Sequence, residues 1–478
     1  MSEGFLKELR AVPDMLVVDE PSEMAPHLVD WRKRHHGKAL AVTLPGSTAA
    51  VAAIIGLCAR HRVPVYPQGG NTSVCGGSVP DEQGGGIVVN LRRMNRILSV
   101  DPQDNSMIVE AGCVLAGVQE AARAVDRLFP MSLGAEGSCQ IGGNLATNAG
   151  GTAVLRYGNM RDLVLGIEAV LPDGTVWNGL RTLRKNNSGY DLKNLFIGSE
   201  GTLGIVTAAA LKLFPLPRHT ITALVAIATI EDAARLAIDV QTQFSGAVSA
   251  VELISASELE LVLKHVPGTA RPLSAQAPWY VLIELAGAED ETVMSDRLAA
   301  MLEVQMEAGA VEDATIAASE RQRRELWHIR HHVTEANVKE GMGVTHDIAV
   351  PPARVPQFVR RAEAALAGCF QMAVPVVVGH LGDGNLHYIA MFSHADWATT
   401  DDKPGCVAAV NRLLYDIAAE LGGTFSAEHG IGSIHLAEME HYKTGPELAL
   451  MQSLKRTIDP LGIMNPGRVL PMAARDPI

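Results

Sequence analysis

Three observations predict an α+β fold in two or three domains. At 478 residues the chain is too long for one ordinary hydrophobic core. Its hydrophobic content of 47% with only 4% aromatics, rich in Ala, Val and Leu, suits a packed globule of sheets and helices. Beyond residue 218, strand-like runs and amphipathic helices alternate around a hairpin at 376–392, as expected of an antiparallel sheet with helices on one face. Prolines in L-F-P-L-P-R-H, residues 213–219, mark a domain boundary, so we expect domains at 1–217 and 218–420 and a C-terminal segment at 421–478 that packs back on the first.

The first domain begins with a short helix. The run A-L-A-V-T-L-P near Lys38 then reads as a strand, and Ser47 or Thr48 caps the helix T-A-A-V-A-A-I-I-G-L-C-A-R-H. A second strand, V-P-V-Y-P-Q, runs into a loop with Gly69, Gly70, Gly76 and Gly77, whose bare amides can surround a pyrophosphate. That loop is neither a Walker nor a Rossmann pattern, and alone it could be a structural turn. Strands I-V-V-N-L and S-M-I-V-E-A-G and a helix around 114–126 follow. Leu133–Gly151 then holds six glycines and two asparagines in nineteen residues, a composition that rules out a helix or strand interior and fits backbone close to a large flat ligand. A third such piece is Phe196–Thr207, and the three together point to a dinucleotide site.

The second domain carries the chemistry. The stretch V-G-H-L-G-D-G-N-L-H, Val378 to His387, places two imidazoles across a tight turn, and a hairpin there faces His380 with His387. Two such histidines are either structural or two thirds of an open metal site, and Glu428 in S-A-E-H-G-I-G supplies the carboxylate that completes it. His429 beside it is a candidate base.

Charge and cysteine usage narrow the partners. A net charge of -13, with no basic run longer than W-R-K-R-H-H, argues against nucleic acid. Six cysteines without a C-x-x-C pattern resemble neither a disulfide framework nor an iron–sulfur site, so electrons must sit on an organic cofactor and leave to an outside acceptor. The N-terminus lacks the apolar core of a signal peptide and no apolar run approaches about 18 residues, from which we expect a soluble cytoplasmic protein without a membrane span.

With these pieces placed, the chain resembles the flavoprotein D-2-hydroxy acid dehydrogenases of the vanillyl-alcohol-oxidase superfamily. The resemblance covers about residues 38–470 and rests on P-Q-G-G-N-T-x-x-x-G-G-S, L-G-A-x-G-S-C-x-I-G-G-N-x-A-T-N-A-G-G, R-Y-G, K-N-N-S-G-Y-D-L, G-S-E-G-T-L-G-I-V-T, G-H-L-G-D-G-N-L-H, E-H-G-I-G and N-P-G-R. It implies a two-part PCMH-type FAD-binding domain, an antiparallel-sheet substrate domain and a small C-terminal helical segment. Gly69, Gly70, Asn71, Thr72 and Gly77 would hold the pyrophosphate, with Pro67, Gly76 and Ser78 also in the cofactor site. Gly137, Ser138, Gly142, Asn144, Thr147, Ile205 and Asn465 would line the rest of the flavin, with Ile141, Asn148 and Gly201 also in the cofactor site. Relatives that attach FAD covalently commonly use a histidine where this chain has Asn71, so non-covalent FAD is expected.

The resemblance also makes Arg330 the substrate-carboxylate arginine and Thr334 its hydroxyl partner, where the residues alone suggest a helix-surface arginine. A divalent metal on His380, His387 and Glu428, with zinc first and manganese, cobalt or iron as alternatives, would acidify the substrate hydroxyl while His429 takes its proton. D-2-hydroxyglutarate dehydrogenases commonly carry Lys at Thr345 and Asn at Ile389. Their loss tilts the expected substrate toward an apolar side chain, such as D-lactate or D-mandelate, with D-2-hydroxyglutarate as the alternative. The expected acceptor is an electron-transfer flavoprotein or quinone, and the expected assembly a homodimer. The competing readings are a peroxide-forming oxidase, a metal hydrolase and a non-catalytic flavoprotein subunit.

Overall fold

In the computed structural model, which describes residues 2–471, the chain separates into two units. The first takes the residues up to Gly151, then Tyr157–Leu216, and the chain from Glu428 onward. The second takes Thr152–Arg156 and Pro217–Ala427.

Among the described residues, two larger sheets and a two-stranded ribbon, Arg127–Leu128 with Phe214–Pro215, build the first unit. The smaller of the two sheets runs Met15–Val18, Ala41–Pro45, Ile87–Asn90, Val65–Gln68, with its last three strands parallel. The larger is antiparallel, in the order Ile97–Asp101, Ser106–Glu110, Ile205–Lys212, Val164–Val170, Val176–Asn178. Helix Thr48–His61 starts at Ser47, whose hydroxyl accepts the Ala50 N–H, and ends where Arg62 turns left-handed. Its Val51, Ile54, Ile55 and Cys58 share one core with Val65, Ile87 and Val89 of the first sheet and Val170 and Ile205 of the second. The C-terminal segment joins the same unit: Val65 N–H donates to Ile463 O and Asn465 N–H to Val65 O.

The Gly-rich stretch departs from expectation at one point. Residues Ile141–Ala146 form a short helix despite Gly142 and Gly143. The reason is close packing: a Cβ on Gly142 would stand 2.9 Å from Ala111 Cβ, and Gly142 N–H donates to Ala111 O. Glycine here permits approach rather than breaking the helix.

The second unit is one seven-stranded antiparallel sheet, in the order Val311–Ile316, His219–Ile227, Trp279–Gly287, Val248–Ser255, Ala373–His380, Asn385–Ser393, Gly341–Ala349. Helices cover both faces, not one. Leu259, Val262, Leu326, Ile329 and Val333 pack on Leu224, Ile254, Leu282 and Val378 of one face. On the other, Tyr388 meets Phe358 and His346 meets Tyr415. The central strands explain this, since Val248–Ser255 is buried at every position and so needs cover on both sides.

Candidate active site

The first unit holds a cleft where its three Gly-rich stretches meet. Pro67, Gly69, Gly70, Asn71, Thr72, Gly77, Ser78, Gly142, Asn144, Thr147, Gly201 and Ile205 all line it, as do Glu428 and His429. The first loop approaches the second so closely that a Cβ on Gly70 would lie 2.0 Å from Ser138 O. Asn71 holds a left-handed φ of 56°, and its side chain is engaged: Nδ2 donates to Val29 O and Oδ1 accepts from Ser78 Oγ.

Other expected positions lie off the lining. Gly137 and Ser138 are exposed, Ile141 is buried in the unit's core, and Gly76 and Asn148 are left-handed turn residues, at φ 67° and 51°. Asn465 is buried behind the loop, where its Nδ2 donates to Gly77 O and Glu200 O.

This cleft suits a flavin nucleotide on the chemistry of its wall. Gln140 Oε1 and Asn144 Oδ1 are buried there and, among the described residues, accept no hydrogen bond. A ligand rich in N–H and O–H donors supplies what such acceptors lack. Gln140 and Glu200 went unnoticed in the sequence. The Glu200 carboxylate, which burial pushes upward in pKa, accepts Ile431 N–H and Gly432 N–H and so pins the E-H-G-I-G loop. The same loop is held at Glu428, whose Oε1 accepts Gly151 N–H, and at His429, whose carbonyl accepts Cys75 Sγ–H.

In the second unit the hairpin brings His380 and His387 together, with ring centroids 5.7 Å apart and planes at 81°. Sheet register makes this meeting, because Val378 pairs with His387 and His380 with Asn385, all on one face. Each imidazole has a carboxylate beside its Nδ1. Glu252 Oε1 lies 2.7 Å from His380 Nδ1, and Asp347 Oδ1 lies 3.7 Å from His387 Nδ1. The carboxylate hydrogen-bonded at Nδ1 orients His380 toward a cation through Nε2, and with His387 beside it the donor set suits a divalent metal.

Arg330 is not a surface residue. It is 9% exposed, and its Nε donates to Glu252 Oε2 at 2.7 Å. Burial alone would raise the Glu252 carboxyl; the His380 and Arg330 charges and their hydrogen bonds overcome that and hold it well below the usual carboxylate range. Thr334 and Thr345 are exposed, the latter paired in register with Ile389, which is buried against Val376 and Met391. Glu252 and Asp347 escaped the sequence reading. The signal for Glu252 was a single charge inside the apolar strand V-S-A-V-E-L-I-S.

Comparison with known proteins places this geometry. Residues 39–179 match the FAD binding domain family and residues 216–469 the FAD linked oxidases, C-terminal domain. The D-2-hydroxyglutarate dehydrogenase, mitochondrial, of Arabidopsis thaliana is 37% identical over 98% of this chain and 81% of its own length. The Xanthomonas citri D-2-hydroxyglutarate dehydrogenase is 35% identical over 96% of this chain and 95% of its own. Schizosaccharomyces pombe has a "Putative D-lactate dehydrogenase C713.03, mitochondrial" that is 34% identical over 94% of this chain and 85% of its own. A p-cresol methylhydroxylase structure superposes with a TM-score of 0.77 at 15% identity, covering 98% of this chain and 96% of that one, which establishes the PCMH-type fold.

The comparisons correct one expectation. A cytoplasmic location read from the N-terminus does not stand beside relatives named mitochondrial in plant, animal and yeast. Among the described residues, no helix is long and apolar enough to cross a membrane. With both family models matched in chain order and near-full-length relatives above 30% identity, the chain belongs to the FAD-dependent D-2-hydroxy acid dehydrogenases.

Proposed function

We propose that this enzyme oxidises D-2-hydroxyglutarate to the 2-oxo acid. The observation that carries the reading is the buried Arg330–Glu252–His380 line, which puts a carboxylate-binding guanidinium and a metal-type histidine on one anchor. The names of relatives at 35–37% identity support the five-carbon diacid over the apolar acids suggested by Thr345 and Ile389. FAD, held without a covalent bond beside Asn71, supplies the hydride acceptor. A divalent metal on His380, His387 and Glu428 would supply Lewis acidity toward the substrate hydroxyl.

The chain's own residues do the rest. Arg330 takes the substrate 1-carboxylate through its Nη groups, which make no hydrogen bond among the described residues. Thr334, exposed at the start of the next helix, offers a hydroxyl to the same carboxylate. His429 accepts the hydroxyl proton as the C2–H leaves with its electron pair. The Gly-rich walls exclude water from the flavin. The electrons then pass to an electron-transfer flavoprotein or a quinone, and the working assembly is a homodimer.

A second reading keeps D-lactate as substrate. It is favoured by the exposed Thr345 and the buried apolar cluster of Ile389, Val376 and Met391, which offer no cation to a second carboxylate. The deciding experiment is anaerobic bleaching of the flavin band by D- and L-2-hydroxy acids, before and after chelator treatment. Bleaching by D-2-hydroxyglutarate that is lost on chelation is the expected result. Faster bleaching by D-lactate would favour the second reading, and bleaching that survives chelation would remove the metal from the mechanism.

A further inference from the structure

Glu252 sits where two jobs meet. It lies on the central strand Val248–Ser255, directly opposite His380 in the sheet register, and is 1% exposed. One oxygen accepts His380 Nδ1–H at 2.7 Å and the other accepts Arg330 Nε–H at 2.7 Å. We propose that Glu252 is a positioning residue that couples metal binding at His380 to substrate-carboxylate binding at Arg330. The inference rests on the metal-assisted reading given above and goes beyond it, because Glu252 itself touches neither group.

The argument is one of donors and acceptors. An ionised carboxylate only accepts, so its bond to His380 makes Nδ1 the protonated nitrogen and Nε2 the one with the lone pair. That is the tautomer a metal needs, and the short bond also sets the ring plane. On the other side, the bond to Nε fixes the guanidinium while leaving the Nη pair to face an incoming carboxylate. The buried negative charge has a third consequence. A guanidinium and a divalent cation would repel each other in this dry region, and the carboxylate between the arginine and the metal-binding histidine offsets that repulsion. Metal and substrate should therefore each bind better when the other's ligand is correctly held.

Glu252→Gln separates the two jobs. Its amide has one accepting oxygen and one donating nitrogen, so it can serve Arg330 or the Nδ1–H of His380, but not both. If the oxygen turns to Arg330, the amide N–H₂ faces Nδ1 and favours the wrong tautomer. If it turns to His380, two donors face each other at Arg330.

The test uses purified full-length holoenzyme, wild type and E252Q. Zinc affinity is read by competition with a chromophoric chelator, KM and kcat by steady-state turnover, and FAD content as a check on the flavin domain. The expected result is full FAD content, zinc binding weakened 10- to 100-fold, and a KM increase that added zinc only partly reverses. Unchanged zinc affinity and KM would reduce Glu252 to a core ion pair and overturn the proposal. Should E252Q fail to fold, nitrogen-15 NMR of metal-free wild type, with H380N to assign the signal, reads the tautomer directly. A His380 protonated at Nδ1 supports the proposal, and one protonated at Nε2 overturns it. Wild type that binds no zinc and bleaches after chelation would instead overturn the metal-assisted reading on which this one stands.

Discussion

The flavin cleft and the polar end of the substrate sheet solve opposite problems. The cleft is made mainly of backbone and neutral amides: left-handed Asn71, a Gly70 with no room for a Cβ, and waiting acceptors on Gln140 and Asn144. The sheet site is made of charges: Arg330, Glu252, His380, His387 and Asp347, drawn from different strands and a helix. Space is therefore the limiting quantity in the first region and compensation of charge in the second. A large flat ligand with a pyrophosphate is held by shape and backbone amides, whereas a small anion and a cation are held by a few strong, desolvated contacts.

Four substitutions should separate the two regimes. The largest effect is expected for Arg330→Met, which removes one partner of a buried charged hydrogen bond and strands Glu252. A cost of about 2–5 kcal/mol predicts a loss in kcat/KM of roughly 30- to 5000-fold, with FAD content unchanged. A drop in FAD content would blur the comparison.

Next comes Glu258, fully buried, with Asn337 Nδ2 donating to one oxygen and its other oxygen unpartnered among the described residues. Burial pushes its carboxyl up to about 7, against an ordinary value of 4.5. A carboxyl whose folded pKa is raised is neutral in both states below pH 4.5 and costs stability as pH rises through 7. Glu258→Gln should thus stabilise the protein by up to about 3 kcal/mol at pH 8 and by nothing near pH 4. Thermal denaturation across that range reads it, and a gain independent of pH would mean that packing, not charge, limits the site.

Gly70→Ala tests space in the cleft. With Ser138 O only 2.0 Å from the new Cβ, the loops must part, at a cost of about 1–3 kcal/mol. The flavin absorbance per protein should fall, and an unchanged ratio would mean that the loops part without loss of FAD. The smallest effect belongs to Asn71→Ala, which keeps the backbone path but loses the bonds to Val29 and Ser78 and the tolerance for a φ of 56°. We expect about 1–2 kcal/mol, seen as weaker FAD retention on dilution.

Legibility in the sequence followed the range of each interaction. Helix Thr48–His61 was readable with its cap at Ser47 or Thr48, of which the fold uses Ser47, and so was the 376–392 hairpin, because periodicity, caps and turn residues act within a few positions. The helix inside the Gly-rich stretch was not, since Ala111, far away in the chain, decides whether Gly142 breaks it or lets it pack. The local residues around Arg330 suggest a surface arginine in an Arg-rich run, and only the family resemblance gives it a role there; the fold adds a buried partner 78 residues away.

By itself the sequence determined the three Gly-rich stretches, the facing histidines of one hairpin and the absence of a protein-borne electron relay pattern, all properties of local residue chemistry. Only the tertiary structure decided that helices cover both faces of the substrate sheet and that Glu252 meets His380 across 128 residues. The physical reason is register: which residues stand opposite one another in neighbouring strands depends on the pairing of the whole sheet, and no local pattern of hydrophobicity encodes it.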